Sequence, residues 1–168
     1  MKFIQKLNNL LSKIESAILI LTLIIMILLA FLQVILRNFF SSSLLWGDTF
    51  LRHLVLWVGF LGASLATKES RHINIDVLSR VLSPTLKKIS GIITNLFAAT
   101  VCFFLFRAAI TFIEYEKQSE STLFADIPVW IFQIIIVVGF GIISLRFLVH
   151  AVEKVALLKR SPDEELSP

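Results

Sequence analysis

The sequence predicts an all-α integral membrane protein with four transmembrane helices, additional amphipathic interfacial helices and both termini in the cytoplasm. Three observations predict it. Of the 168 residues, 57% are hydrophobic and only 17% charged, against about 45–50% and about 25% in ordinary soluble domains. Mean hydropathy is +0.86, which is more apolar material than a soluble core of this size can hide. The apolar residues also fall into four runs close to the roughly 20 residues that cross a bilayer core of about 30 Å as helix. A lone cysteine, Cys102, excludes an internal disulfide, a C-x-x-C redox motif and a cysteine-rich metal site. The net charge of +4 is assigned to lysines and arginines that flank membrane spans, and nucleic acid is not expected as a partner.

The elements follow in order within a single four-helix domain, residues 1–160. The first span, about residues 14–37, contains the uncharged run Ser16 to Leu36. That run is longer than the apolar core of a signal peptide, and no small-x-small pattern follows it, so it is expected to be retained. Before it, Phe3, Leu7, Leu10, Leu11 and Ile14 make an amphipathic approach. The second span, about 48–67, has only the stretch His53 to Thr67 free of charge, and it reaches full length if it begins near Asp48. The stretch after it is too polar to span. There Val77, Leu78, Val81 and Leu82 have helical spacing and interleave with Arg71, His72, Asp76 and Arg80, which predicts a helix over about 71–83 lying in the membrane surface. Ser83 and Pro84 then read as cap and first residue of the third helix, whose span covers about 87–113. Asp126 is expected to cap the fourth helix, with Pro128 in its first turn and a span over about 127–147. The acidic tail, 161–168, is expected to be disordered and cytoplasmic.

Charge sets the orientation. Lys2, Lys6 and Lys13, then Lys68, Arg71, Arg80, Lys87 and Lys88, then Arg146, Lys154, Lys159 and Arg160 share one side of a four-span chain. Arg37, Arg52, Arg107 and Lys117 lie on the other, with several acids. The positive-inside rule makes the first side cytoplasmic. Arg107 and Arg146 each lie about 28–30 Å along a helix from the preceding charge, so both are expected to reach an interface and snorkel. Trp46, Trp57 and Trp130 are expected at the interfaces.

No catalytic constellation emerges. His53, His72 and His150 do not pair at helical spacing, and there is no phosphate-binding glycine loop, H-E-x-x-H or G-x-S-x-G. Glu15 is placed at the inner edge, and the mid-span polar residues are uncharged, which speaks against a transporter working through its own carboxylate. Gly59, Gly62, Ala63 and Ala66 give the second span a small-residue face, fit either for packing inside the bundle or for a partner helix. From the residues alone, the protein packs, anchors and assembles. A free-standing homo-oligomeric channel or exporter is the alternative, and a membrane enzyme or electron-transfer anchor a third class.

The residues from Arg37 to Asp76 carry more. They run Arg37, Trp46-Gly47-Asp48, Arg52, Trp57, Phe60-Leu61-Gly62-Ala63 and His72-Ile73-Asn74-Ile75-Asp76. This pattern resembles the small membrane subunit of tripartite ATP-independent periplasmic (TRAP) transporters, except that Gly47 leaves one carboxylate after the tryptophan where that family often has two. The resemblance implies a scaffold subunit without an enzymatic site or a cofactor of its own, in a bacterial inner membrane. It would work beside a large membrane subunit, which would hold the sodium ions, and a periplasmic substrate-binding protein. The transported class would be organic acids such as C4-dicarboxylates or sialic acid. On that basis Arg37, Trp46, Asp48, Arg52, Trp57, Gly59, Gly62, Ala63, His72 and Asp76 are candidate partner-contact residues. Asp48 and Arg52 can equally form a local salt bridge, and His72 and Asp76 a local cap. Arg80, Lys87 and Lys88 form a basic cluster expected to face phospholipid.

Overall fold

The structure is a computed structural model that describes the backbone of residues 2–42, 44–69, 84–123 and 126–159. The described residues form four long helices: α1 (Lys2–Phe39), α2 (Gly47–Glu69), α3 (Pro84–Gln118) and α4 (Val129–Lys159). Each contains a stretch long and apolar enough to cross a bilayer, namely Asn8–Phe39, Gly47–Lys68, Ile89–Gln118 and Val129–Ala156. The chain is therefore built as a four-span membrane protein. The predicted interfacial helix at 71–83 and the tail at 161–168 lie outside the described residues.

The helices pack in a row rather than a square. The principal contacts join α1 to α2, α2 to α4 and α4 to α3, giving the spatial order α1–α2–α4–α3. Side-chain contacts fix the directions. Gln33 lies over Gly47 while Glu15 meets Ser64, so α1 and α2 are antiparallel. Trp57 meets Phe132 and Ser64 meets Arg146, so α2 and α4 run parallel. Lys117 stands over Trp130 while Ser144 meets Ala99, so α3 and α4 are antiparallel. α1 thus begins and α4 ends at one end of the row, the near end. The tryptophans Trp46 and Trp130 lie at the far end.

Local chemistry explains the breaks. α1 stops where Ser41 turns left-handed (φ 48°), and the Ser42 N–H folds back to the Leu36 carbonyl at 3.2 Å. The connection between α3 and α4 differs from the expected cap. Asp126 is left-handed (φ 57°), whereas an N-cap sits in the extended region. It instead occupies the turn of a small antiparallel bridge between Thr122 and Pro128. The Leu123 N–H donates to Ile127 O and the Val129 N–H to Ser121 O, both at 2.9 Å. One of the orphan donors of the α4 start is therefore satisfied by backbone rather than by a carboxylate.

The α2–α4 seam holds the centre of the row. The Trp57 indole N–H donates to the Phe132 carbonyl at 2.9 Å, a buried polar tip satisfied across the seam. Two turns further along α4, Gly139 lets Phe60 approach. A Cβ at Gly139 would lie 2.5 Å from the Phe60 ring and 3.0 Å from the Phe60 Cβ, and the same ring packs edge-on to Phe140 at 5.0 Å. Gly139→Leu is expected to force α2 and α4 apart and destabilise the protein by about 1–3 kcal/mol, the usual range for overpacking. Thermal unfolding in detergent checks this, with partial recovery expected when Phe60→Ala is added.

Candidate functional site: a buried ion pair and an open helix face

Two features of the row invite a functional reading. The first is an ion pair buried among α1, α2 and α4. Arg146 Nη2 lies 2.6 Å from Glu15 Oε2, and both side chains are 4% exposed. Ser64, on α2, stands between them. Its hydroxyl donates to Glu15 Oε1 at 2.9 Å and accepts from Arg146 Nη1 at 2.8 Å, and its carbonyl also accepts from Nη1. Ser12 accepts from Arg146 Nη2 at 3.2 Å and donates to the Asn8 carbonyl at 2.8 Å. Both carboxylate oxygens and both terminal guanidinium nitrogens are thereby engaged. Arg146 Nε is buried without a partner. Beside the bridge, a cleft of about 140 Å³ is lined by Asn8 and Leu11 of α1 and by Leu145, Val149 and His150 of α4. The arginine spans the gap between those two helices.

Arg146 is thus buried in an ion pair rather than snorkelling from its helix. Helix α4 runs past the expected span to Lys159, thirteen residues or about 20 Å beyond Arg146. Side chains also lean toward the N-terminus of their own helix, which here aims the Arg146 head away from the near end. A signal was present in the sequence. Glu15 is the lone acid of the first forty residues, and Arg146 is the lone charge between Asp126 and Glu153. A lone acid and a lone base on two apolar helices call for each other, because an unpaired charge there is costly.

The second feature is the outward face of α2. Gly59, Ala63 and Ala66 are exposed and Gly62 is half-buried. A Cβ added at Gly59 or Gly62 would meet nothing within 4 Å. Gly59 and Gly62 are therefore not close-packed against another helix among the described residues.

The remaining candidates are distributed. Arg37, Asp48 and Arg52 are exposed at the far end. Asp48 and Arg52 share a helix face yet form no ion pair with each other. Trp46 packs edge-on against Phe50 at 6.1 Å. Trp57 is committed to the α2–α4 seam rather than to an interface. His53 is buried, donates from Nδ1 to the Thr49 carbonyl at 2.7 Å and lies against Phe132. Gly47, where the resemblance would favour a second acid, is covered by the Gln33 amide, which a Cβ would meet. His72, Asp76 and Arg80 lie outside the described residues, as do the side chains of Lys87 and Lys88. Among the described residues no three His, Cys, Asp or Glu side chains come together to hold a metal.

Residues 26–157 match the family described as tripartite ATP-independent periplasmic transporters, DctQ component. A putative TRAP transporter small permease protein of Haemophilus influenzae is 32% identical over 101 residues, covering 60% of this chain and 63% of that protein. The ectoine TRAP transporter small permease protein TeaB of Halomonas elongata is 24% identical over 147 residues, 87% of this chain and 76% of TeaB. The sialic acid TRAP transporter permease protein SiaT of Haemophilus influenzae is 29% identical over 106 residues, which are 58% of this chain but 17% of SiaT. The match thus spans less than two thirds of the length of the first of these relatives and a small part of SiaT.

The ion pair makes a direct prediction. Arg146→Leu strands a buried carboxylate, and Glu15→Leu strands a buried guanidinium; each is expected to cost about 3–5 kcal/mol. The double replacement removes both charges and is expected to recover most of that loss. Unfolding of the purified chain in detergent, run as a double-mutant cycle, gives the coupling.

Proposed function

Because the chain belongs to the family of DctQ components of tripartite ATP-independent periplasmic transporters, we propose that it is the small scaffold subunit of a sodium-coupled organic-acid importer. In this reading it sits in the bacterial inner membrane with both termini in the cytoplasm. It forms a heterodimer with a large membrane subunit, which carries substrate and sodium, and it helps receive a periplasmic binding protein. The chain is a transporter component rather than an enzyme.

One observation carries the scaffold role. The charges buried within the row are matched to each other, Glu15 to Arg146, while the small-residue face of α2 is left open. Interior charge is used to fasten helices, and the surface suited to close helix contact points away from the chain's own packing. The relative SiaT adds support, since the matching stretch there is a minor part of a much longer permease chain. The substrate class follows relatives named for sialic acid and, in Pseudomonas aeruginosa, for C4-dicarboxylates. A further relative is named for ectoine, so the relatives' substrates are not confined to those two. Arg37, Asp48 and Arg52 lie exposed at the far end, where a periplasmic protein would arrive.

The test is uptake by proteoliposomes containing the large subunit, the binding protein and this chain. Gly62→Leu is expected to leave the isolated chain folded but to reduce complex recovery and uptake together. Asp48→Lys is expected to reduce uptake while the membrane complex stays intact. Full uptake without this chain would contradict the scaffold reading.

A further inference from the structure

Arg107 lies on the outward side of α3, and its depth makes it informative. α3 is the edge of the row and packs principally on α4, through a face that includes the buried Asn95, Ala99, Ala109 and Ile113. Arg107 is exposed on a different face, in line with Thr100, Thr111 and Glu114, all of them exposed. The threonines are satisfied by their own helix, Thr100 donating to Leu96 O at 2.9 Å and Thr111 to Arg107 O at 3.4 Å. Among the described residues Arg107 and Glu114 have no ion-pair or hydrogen-bonding side-chain partner. Seven residues apart, they are about 10 Å from each other along the axis and cannot pair.

The neighbouring contacts fix the level of Arg107. Lys117 stands 4.4 Å over the ring of Trp130, the kind of lysine–aromatic pair that marks a membrane–water boundary. Arg107 is ten residues short of it, about 15 Å along α3, well inside the apolar stretch Ile89–Gln118. In the other direction, Ala99 accepts from Ser144, two residues from the buried Arg146, and lies about 12 Å from Arg107. The side chain leans toward the N-terminus of α3, away from Trp130. A guanidinium within an apolar span that faces outward from its own chain is costly in lipid and is ordinarily turned toward protein or paired with an acid.

We propose that this face of α3 packs on a transmembrane helix of the large membrane subunit that presents a carboxylate at the depth of Arg107. The inference rests on the heterodimer reading above and adds to it a surface and a partner chemistry. Charge complementarity identifies the occupant, because the helix face offers one unpaired cation amid Phe103, Phe104 and self-satisfied threonines.

The test uses the complex extracted from native membranes in mild detergent. Arg107→Leu is expected to lower recovery of the large subunit on the tagged chain by about tenfold or more, as when one member of a buried charge pair is removed. Arg107→Lys is expected to recover part of it, and the isolated Arg107→Leu chain to be at least as stable as the parent. A photo-reactive residue replacing Thr111 is expected to cross-link to the large subunit. Full recovery with Arg107→Leu, or cross-links only to lipid or to a second copy of this chain, would overturn the proposal. If the unaltered chain recovered no large subunit at all, the heterodimer reading itself would fail.

Discussion

A charge inside a bilayer must find its opposite, and the architecture of this protein depends on how that constraint is met. Glu15 and Arg146 come from helices at opposite ends of the chain, and neither could stay buried alone at acceptable cost. Their meeting through Ser64 ties α1, α2 and α4 at one level. The hydrophobic effect cannot do this, since lipid solvates an apolar helix as well as a neighbouring helix does. The seam formed by Trp57, Phe60 and Gly139 then sets how closely α2 and α4 approach. α1 and α3 flank this pair, each with much of its surface turned outward.

A row of helices differs in kind from a closed bundle. A closed bundle buries its polar contacts and shows lipid a uniform apolar coat. This row has an outward face on α2 made of small residues and an outward arginine on α3. Neither is what a helix turned to hydrocarbon needs. Both suit a protein neighbour, one by permitting close backbone approach and the other by requiring a countercharge. The proposed scaffold role draws on both the family membership and these open surfaces.

Much of the fold was legible in the sequence because hydropathy is additive along the chain. Four apolar runs separated by polar connections suffice to identify four helices. What was not legible depends on the third dimension. Counting twenty residues from Asp126 puts Arg146 at the end of a span, but the count does not show that α4 continues to Lys159 or that Glu15 meets the guanidinium. Asp126 has the composition of a cap, yet a backbone bridge between Thr122 and Pro128 leaves it in a turn. Trp57 matched an interfacial tryptophan by type, and only the position of Phe132 shows that its N–H is engaged inside. The Asp48–Arg52 spacing permits a pair that does not form, as is common where two exposed side chains gain little by holding one geometry. The small residues of α2 can be read from the sequence, but the direction they face depends on which neighbours α2 acquires.

The central claim is that this chain completes a larger membrane protein rather than acting alone. Native mass spectrometry of complexes released from the source membrane in mild detergent tests it most directly. One copy of this chain bound to one copy of a larger multi-span subunit is the expected result. A population made up only of homo-oligomers of this chain, under conditions that keep other inner-membrane complexes intact, would contradict it.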